Sequence, residues 1–429
     1  MKRLFISVLT VALIGMVSSC SNNDDDVIPV DPPTDGGGDN GGDGGGQTTD
    51  YTLTGNISED KTLTADGIWE LKGRVAVTDG ATLTIEPGTI IKAFPGTGAN
   101  ASTLIIARGA KIMAEGTADK PIIMTSIGDD IELGQKFGTN LGANDRALWG
   151  GLLILGKAKG SFSGDSPENQ IEGIPADDTN GLYGGSDDED NSGVVNYISI
   201  RHGGALIGEG NEINGLTLGA VGSGTSISNV EIVGNLDDGI EFFGGTVNVS
   251  NALIYAVGDD GLDIDQAYSG TITNSAVIEG TESDHGLEID GGEGSYQAGF
   301  TMDGITLMGN LDADEGKAYY ADLRDNAQGI ISNVYATGFK VESNLELDNN
   351  GIAQNFIDGK LVFENWVINL PDGVTDPGSI FQEKTGDDES LIITPSFTEQ
   401  AAAWATVGTS GGADLSVFAW TFAKSKNAY

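Results

Sequence analysis

Carboxylates return at a near-constant spacing between residues 229 and 292. Asp237-Asp238-Gly239, Asp259-Asp260-Gly261 and Asp284-His285-Gly286 each follow a short apolar run, and their glycines recur with a period in the low to middle twenties. Two residues beyond each glycine comes another acid, Glu241, Asp263 and Glu288, with Asp265 two further on in the second unit. Ahead of the turns stand Asn229, Asn251 and Asn274, which keep the same period. If such units stack at the spacing of neighbouring strands, about 4.8 Å, Asp238, Asp260 and Asp284 or His285 fall into one row. Glu241, Asp263 and Glu288 fall into a second. Like charges so close either hold protons or gather cations.

Three chemistries fit those rows. In the first the acids are structural: Asp accepts bonds from nearby backbone N–H groups in turns, and Gly supplies the left-handed residue. Stacked Asn229, Asn251 and Asn274 would satisfy one another in the same way. In the second they bind calcium, which takes several hard oxygens at about 2.3–2.6 Å; the candidate ligands are Asp237, Asp238, Asp259, Asp260, Asp263 and Asp265. The spacing is neither that of an EF-hand nor that of the nonapeptide calcium repeat. In the third they cut polysaccharide. Asp-Asp-Gly, Gly-Asp-Asp-Gly and Asp-His-Gly on successive units resemble the active-site strings of polygalacturonase-type glycosidases, whose carboxylates protonate the leaving oxygen and activate water. That resemblance implies Asp260 as the acid, Asp238 and Asp259 as the base pair and His285 in support. Two departures count against it: the third turn reads Ser-Asp-His-Gly, and no Arg-Ile-Lys string follows to hold an acidic sugar. A lyase with a cationic base has little to draw on, since Arg201 and Arg324 are the only arginines after residue 146.

Other sites are excluded by composition. Two histidines, His202 and His285, and one cysteine do not make an ordinary zinc or copper centre. No phosphate-binding glycine loop precedes a helix, and no Ser-His-Asp pattern is present, so no organic cofactor is expected. A formal charge of −43 leaves no basic patch for nucleic acid.

The elements that position these acids follow from the period. A repeat in the low twenties with short strands predicts an all-β solenoid, a right-handed parallel β-helix, in which each coil buries its apolar face only against the next. Glycine is abundant at 66 residues, aromatics are sparse at 7%, and no long segment shows a helical apolar period. Earlier coils repeat with a longer period, Gly80–Thr89 matching Gly109–Thr117, with Glu86 and Glu115 at corners. Residues 126–195 interrupt the pattern. Trp149-Gly-Gly-Leu-Leu-Ile-Leu155 reads as a buried strand, whereas 161–192, rich in Gly, Asp, Asn and Ser, predicts a lateral loop insertion. Coils return at Val194–Gly204 and extend to about residue 340; 341–429 is expected to hold the last coils and a C-terminal cap built on Trp366, Trp404, Phe418, Trp420 and Phe422.

Residues 1–19 read as a lipoprotein signal peptide. Lys2 and Arg3 precede an apolar core from Leu4 to Val17, and Val17-Ser-Ser-Cys20 resembles the bacterial lipobox, which implies lipidation of Cys20, the only cysteine. Ser21-Asn-Asn-Asp-Asp-Asp26 is similar to the acidic signal that sends Bacteroidetes lipoproteins to the outer face of the outer membrane. Residues 20–50 form a tether in which eight of the eleven residues from Gly36 to Gly46 are glycine.

Several strings together resemble a large family of Bacteroidetes surface lipoproteins and secreted proteins. They are Gly80–Thr89, Ala101–Thr117, Trp149-Gly-Gly, Ile200-Arg-His-Gly-Gly204, Gly208–Gly215, Asp237–Gly245 and Gly258-Asp-Asp260. The resemblance spans residues 55 to 425 and implies a right-handed parallel β-helix without bringing a particular activity. The expected function is therefore a non-enzymatic, lipid-anchored binding or envelope-structural module at the cell surface, stabilised by calcium and contacting glycans or outer-membrane proteins. A polysaccharide-degrading enzyme is the alternative.

Overall fold

Asparagine in the left-handed region sets the shape of each coil. Asn229, Asn251, Asn274, Asn333 and Asn365 have φ between 47° and 56°, a conformation Asn tolerates better than most residues. Each interrupts one long strand, so that Ser226–Val233, Asn248–Tyr255 and Thr271–Ile278 turn a corner mid-way and serve two neighbouring sheets. Pairing skips the asparagine: Ser228 faces Ser250, and the ladder resumes with Val230 facing Ala252. The asparagine amides stack as the sequence suggests, Nδ2 of Asn251 donating to Oδ1 of Asn229 at 3.1 Å and Nδ2 of Asn274 to Oδ1 of Asn251 at 2.7 Å.

The computed structural model describes residues 50–206, 212–384 and 392–429; the predicted leader, Cys20 and the tether through residue 49 lie outside them. It is a right-handed parallel β-helix whose strands join into one continuous sheet of 24. A first ladder holds the leading halves of the bent strands and a second their trailing halves. A third ladder, which carries the acids, stacks Thr103–Ile106, Leu152–Leu155, Leu216–Gly219, Ile240–Phe243, Leu262–Asp265, His285–Ile289, Tyr319–Leu323 and Leu345–Leu347. Alternate side chains point inward, and register puts like on like: Ile232, Ile254 and Val277 stack, as do Ile240, Leu262 and Leu287, all essentially inaccessible. Truncating one such residue to Ala costs about 2–5 kcal/mol.

The expected insertion at 126–195 is two excursions on either side of a regular coil strand, Leu152–Leu155. The second excursion presses Phe162, Ile171, Ile174 and Tyr183 onto Ile105, Leu153, Leu155 and Phe243, which point outward from the third ladder. The C-terminal aromatics also divide. Trp366 and Trp404 join Phe356, Phe363, Phe381 and Phe397 in a cluster at the last coils. Phe418, Trp420 and Phe422 instead lie on the outer wall, because residues 408–429 run back along the second ladder. There Phe418 packs with Leu253 and Ile278, and the Ala423 N–H donates to buried Glu231 at 2.9 Å. This return closes a gap in the amide stack: Gly304 stands where the next asparagine would, and the Asp414 N–H takes the free Oδ1 of Asn274 at 2.6 Å.

Candidate functional site

One outward column of the third ladder reads, coil by coil, Leu153, Thr217, Glu241, Asp263, Glu288, Asp322 and Glu346. Under the insertion it begins apolar, with Leu153 and, one coil before it, Ile105. Where the insertion ends, it becomes a wall of carboxylates.

At the start of the same strands lies the turn row. The Asp238 N–H faces Oδ1 of Asn214 at 3.3 Å, Oδ1 of Asp238 accepts the Asp260 N–H at 2.9 Å, and Oδ1 of Asp260 accepts the His285 N–H at 2.8 Å. His285, not Asp284, thus continues the row of Asp238 and Asp260, and its Nδ1 lies 2.9 Å from the same Asp260 oxygen. Asp284 points aside to Lys317, whose Nζ is 2.9 Å away. Gly239 and Gly261 tolerate no side chain: a Cβ on Gly239 would stand 2.4 Å from the carbonyl oxygen of Gly261 on the next coil, and one on Gly261 2.6 Å from that of Gly286.

Turn row and wall meet in a cleft of about 170 Å³ lined by Glu172, Glu212, Asp237, Asp238, Glu241, Asp259, Asp260, Asp263 and Glu288. Asp238, Asp259 and Asp260 thus come together as expected, with His285 bonded at one side. Asp237 and Asp263 join them. Asp265 does not line the cleft: one outward position further along its strand, its Oδ1 accepts the N–H of Gln266 at 2.6 Å. Sequence reasoning missed Glu172, which comes from the insertion, and Glu212. The one legible hint lay in the Gly208–Gly215 string that contains Glu212.

Burial and mutual repulsion act on these acids in the same direction. Burial pushes Asp237 up to about 8, with Glu172, Asp259 and Glu212 adding to it, and Asp259 up to about 6, with Asp260 and Asp284 adding. Asp238, Glu241 and Asp263 are held well above the ordinary carboxylate range, by burial first and then by neighbouring carboxylates, Asp263 acting on Asp238 and Glu241, and Asp260 on Asp263. Burial would lower His285, but its bond to Asp260 and the surrounding carboxylates outweigh that and raise it. Asp263 is 9% exposed, lines the cleft, and has an Oδ1 with no hydrogen-bond partner. An unpaired buried carboxylate oxygen is costly.

Further down the same face the protein supplies its own cations. Arg324 bonds Glu288 and Asp290, the latter at 2.7 Å, Lys317 bonds Asp284, and Lys384 bonds Asp348. Among the described residues no Lys or Arg forms an ion pair with Glu172, Glu212, Asp237, Asp238, Glu241, Asp259 or Asp263.

A family model described as a pectate-lyase-like β-helix domain matches residues 55–422. The chain belongs to that family. No curated protein and no solved structure matches it. In this pectate-lyase-like domain, Arg201 is not placed to act as a base: it is 1% exposed, its Nε donates to Ser199 at 2.7 Å, and Phe137 and Phe422 cover its guanidinium. No helix among the described residues is long and apolar enough to cross a membrane.

Proposed function

We propose that the chain is a non-catalytic surface module: a rigid β-helix that presents a calcium-filled acidic cleft to glycans or outer-membrane proteins. The observation that carries this is the make-up of the cleft, carboxylates alone with a buried, unpartnered oxygen on Asp263, beside coils whose acids are matched by Arg324, Lys317 and Lys384. Calcium suits it because that ion accepts six to eight oxygens in irregular geometry, whereas magnesium demands a near-ideal octahedron. No aromatic side chain lines the cleft to stack a sugar ring, and the cations at its edge, Arg324 and His285, are already paired with Glu288 and Asp260. A bound calcium would supply the missing positive charge. In this reading Cys20 carries the lipid anchor at the outer membrane, and the glycine-rich segment after it is the tether.

The reading is tested by binding of the protein to a panel of neutral and acidic polysaccharides in calcium and in EDTA. Capture that requires calcium and is lost in Asp238→Asn/Asp260→Asn supports it; capture indifferent to both, or none across the panel, removes the glycan from the account.

A glycosidase is the second reading because Asp260 touches His285 and shares the cleft with Asp238 and Asp259. Release of new reducing ends from any polysaccharide, abolished by Asp260→Asn, would establish it over the first.

A further inference from the structure

Among the described residues the cleft carries two overlapping all-carboxylate sets of ligand atoms, beside a third, Asp260, His285 and Glu288, whose acids already have cationic partners. In one, oxygens of Asp237, Asp238 and Asp259 lie within 4.8 Å of one another; in the other, oxygens of Asp238, Glu241 and Asp263 do. Two oxygens on opposite sides of one calcium ion, each at about 2.3–2.6 Å, are about 4.6–5.2 Å apart, so each set spans a single ion. The sets differ in position. Asp237 and Asp259 are half-buried at the mouth of the turns, while Glu241 and Asp263 are buried and stand on the strand.

We infer that the cleft holds two neighbouring divalent cations bridged by the Asp238 carboxylate, an inference that rests on the calcium reading above. Asp238 is the only residue common to both sets. Its Oδ1 uses one lone pair on the Asp260 N–H, which leaves the rest of the group to face both ions. The inner ion meets Oδ1 of Asp263, a buried oxygen with no hydrogen-bond partner. Toward the outer ion, Glu172 from the insertion and Glu212 add carboxylates beside Asp237. Charge favours two ions over one. Seven of the lining carboxylates have no cationic partner, Glu288 being matched by Arg324 and Asp260 by His285. One divalent ion would leave most of that charge unbalanced. Two ions sharing a carboxylate stand about 3.5–4 Å apart in other paired sites, less than one coil spacing.

The test is calcium bound per chain, by equilibrium dialysis at 0.15 M salt so that diffuse counter-ions are screened. Two per chain are expected, falling to one in Asp259→Asn and to one in Asp263→Asn, because each removes a ligand belonging to one set only. One ion per wild-type chain overturns the pair while leaving the calcium reading intact; none overturns both. If either variant fails to fold, the wild-type protein loaded with Mn²⁺ decides by electron paramagnetic resonance. A spin-coupled spectrum supports the pair, and an isolated six-line signal overturns it.

Discussion

At the bend between the first two ladders Asn251 does two things with one amide: it donates to Asn229 below and accepts from Asn274 above. At the start of the third ladder Asp238 and Asp260 stack at the same spacing, but an ionised carboxylate can only accept, and the donor is the backbone N–H of the following coil. The amide stack is built of neutral groups that satisfy one another, with help at its start from Asn196 and at the Gly304 break from Asp414 and Asp303. The turn row holds two carboxylates before His285, and the strand column beside it adds an acid with each coil, Glu241, Asp263, Glu288, Asp322 and Glu346. Repetition therefore stabilises one ladder and strains the other. The strained one needs protons or cations.

The amide stack can be broken most directly at Asn251. Asn251→Ala should lose about 3 kcal/mol, summing a left-handed backbone penalty of about 1–2 kcal/mol and two hydrogen bonds of about 0.5–1.5 kcal/mol each. Denaturant unfolding should show that loss equally in calcium and in EDTA. A loss that depends on calcium would mean the two ladders are not independent.

Converting the other ladder toward amides should act with the opposite sign. In EDTA at pH 8, Asp238→Asn should raise the melting temperature, by a stabilisation of about 1–2 kcal/mol, because it removes a buried like charge. In calcium the same variant should be the less stable protein. A variant that is weaker under both conditions would contradict the repulsion.

Glu279 shows the effect of a buried carboxylate that does not line the cleft. It is 3% exposed, both its carboxylate oxygens lack partners, and burial, aided by Asp260 and Asp284, holds it well above the ordinary range. A group whose folded value is raised contributes stability that is complete below its unfolded value and lost as pH rises through the folded one. Glu279→Gln should therefore gain about 1 kcal/mol over wild type at pH 8 and nothing at pH 4; pH-dependent thermal melts check it. The smallest effect is expected at Asp265, which lies outside the cleft: Asp265→Asn should keep the full calcium response.

The coil was legible because its period is local. Asn229, Asn251 and Asn274 and the three turn glycines recur at nearly equal intervals, and stacking like on like follows from that alone. The turn row was legible for the same reason, though choosing between Asp284 and His285 required the register, which pairs Leu262 with Leu287. Continuation of the wall to Asp322 and Glu346 was hidden, because loops between coils stretch the period. Glu172 was hidden for a different reason: it belongs to an excursion with no repeat, and only the packing of Ile171 and Ile174 on Leu153 brings it over the acids. The tail's path was likewise beyond a pattern reading, since bulky residues near a terminus fit an end cap and an outer wall equally well.

Cations that complete the carboxylate ladder are the central claim. Thermal unfolding of the EDTA-stripped protein at pH 7.5, titrated with calcium, tests it most directly. Binding only to the folded state stabilises by about 2.7 kcal/mol at a hundred times the dissociation constant, so the melting temperature should climb by several degrees at millimolar calcium. In Asp238→Asn/Asp260→Asn it should not move. A wild-type protein indifferent to calcium, or a double variant that responds just as strongly, would contradict the account.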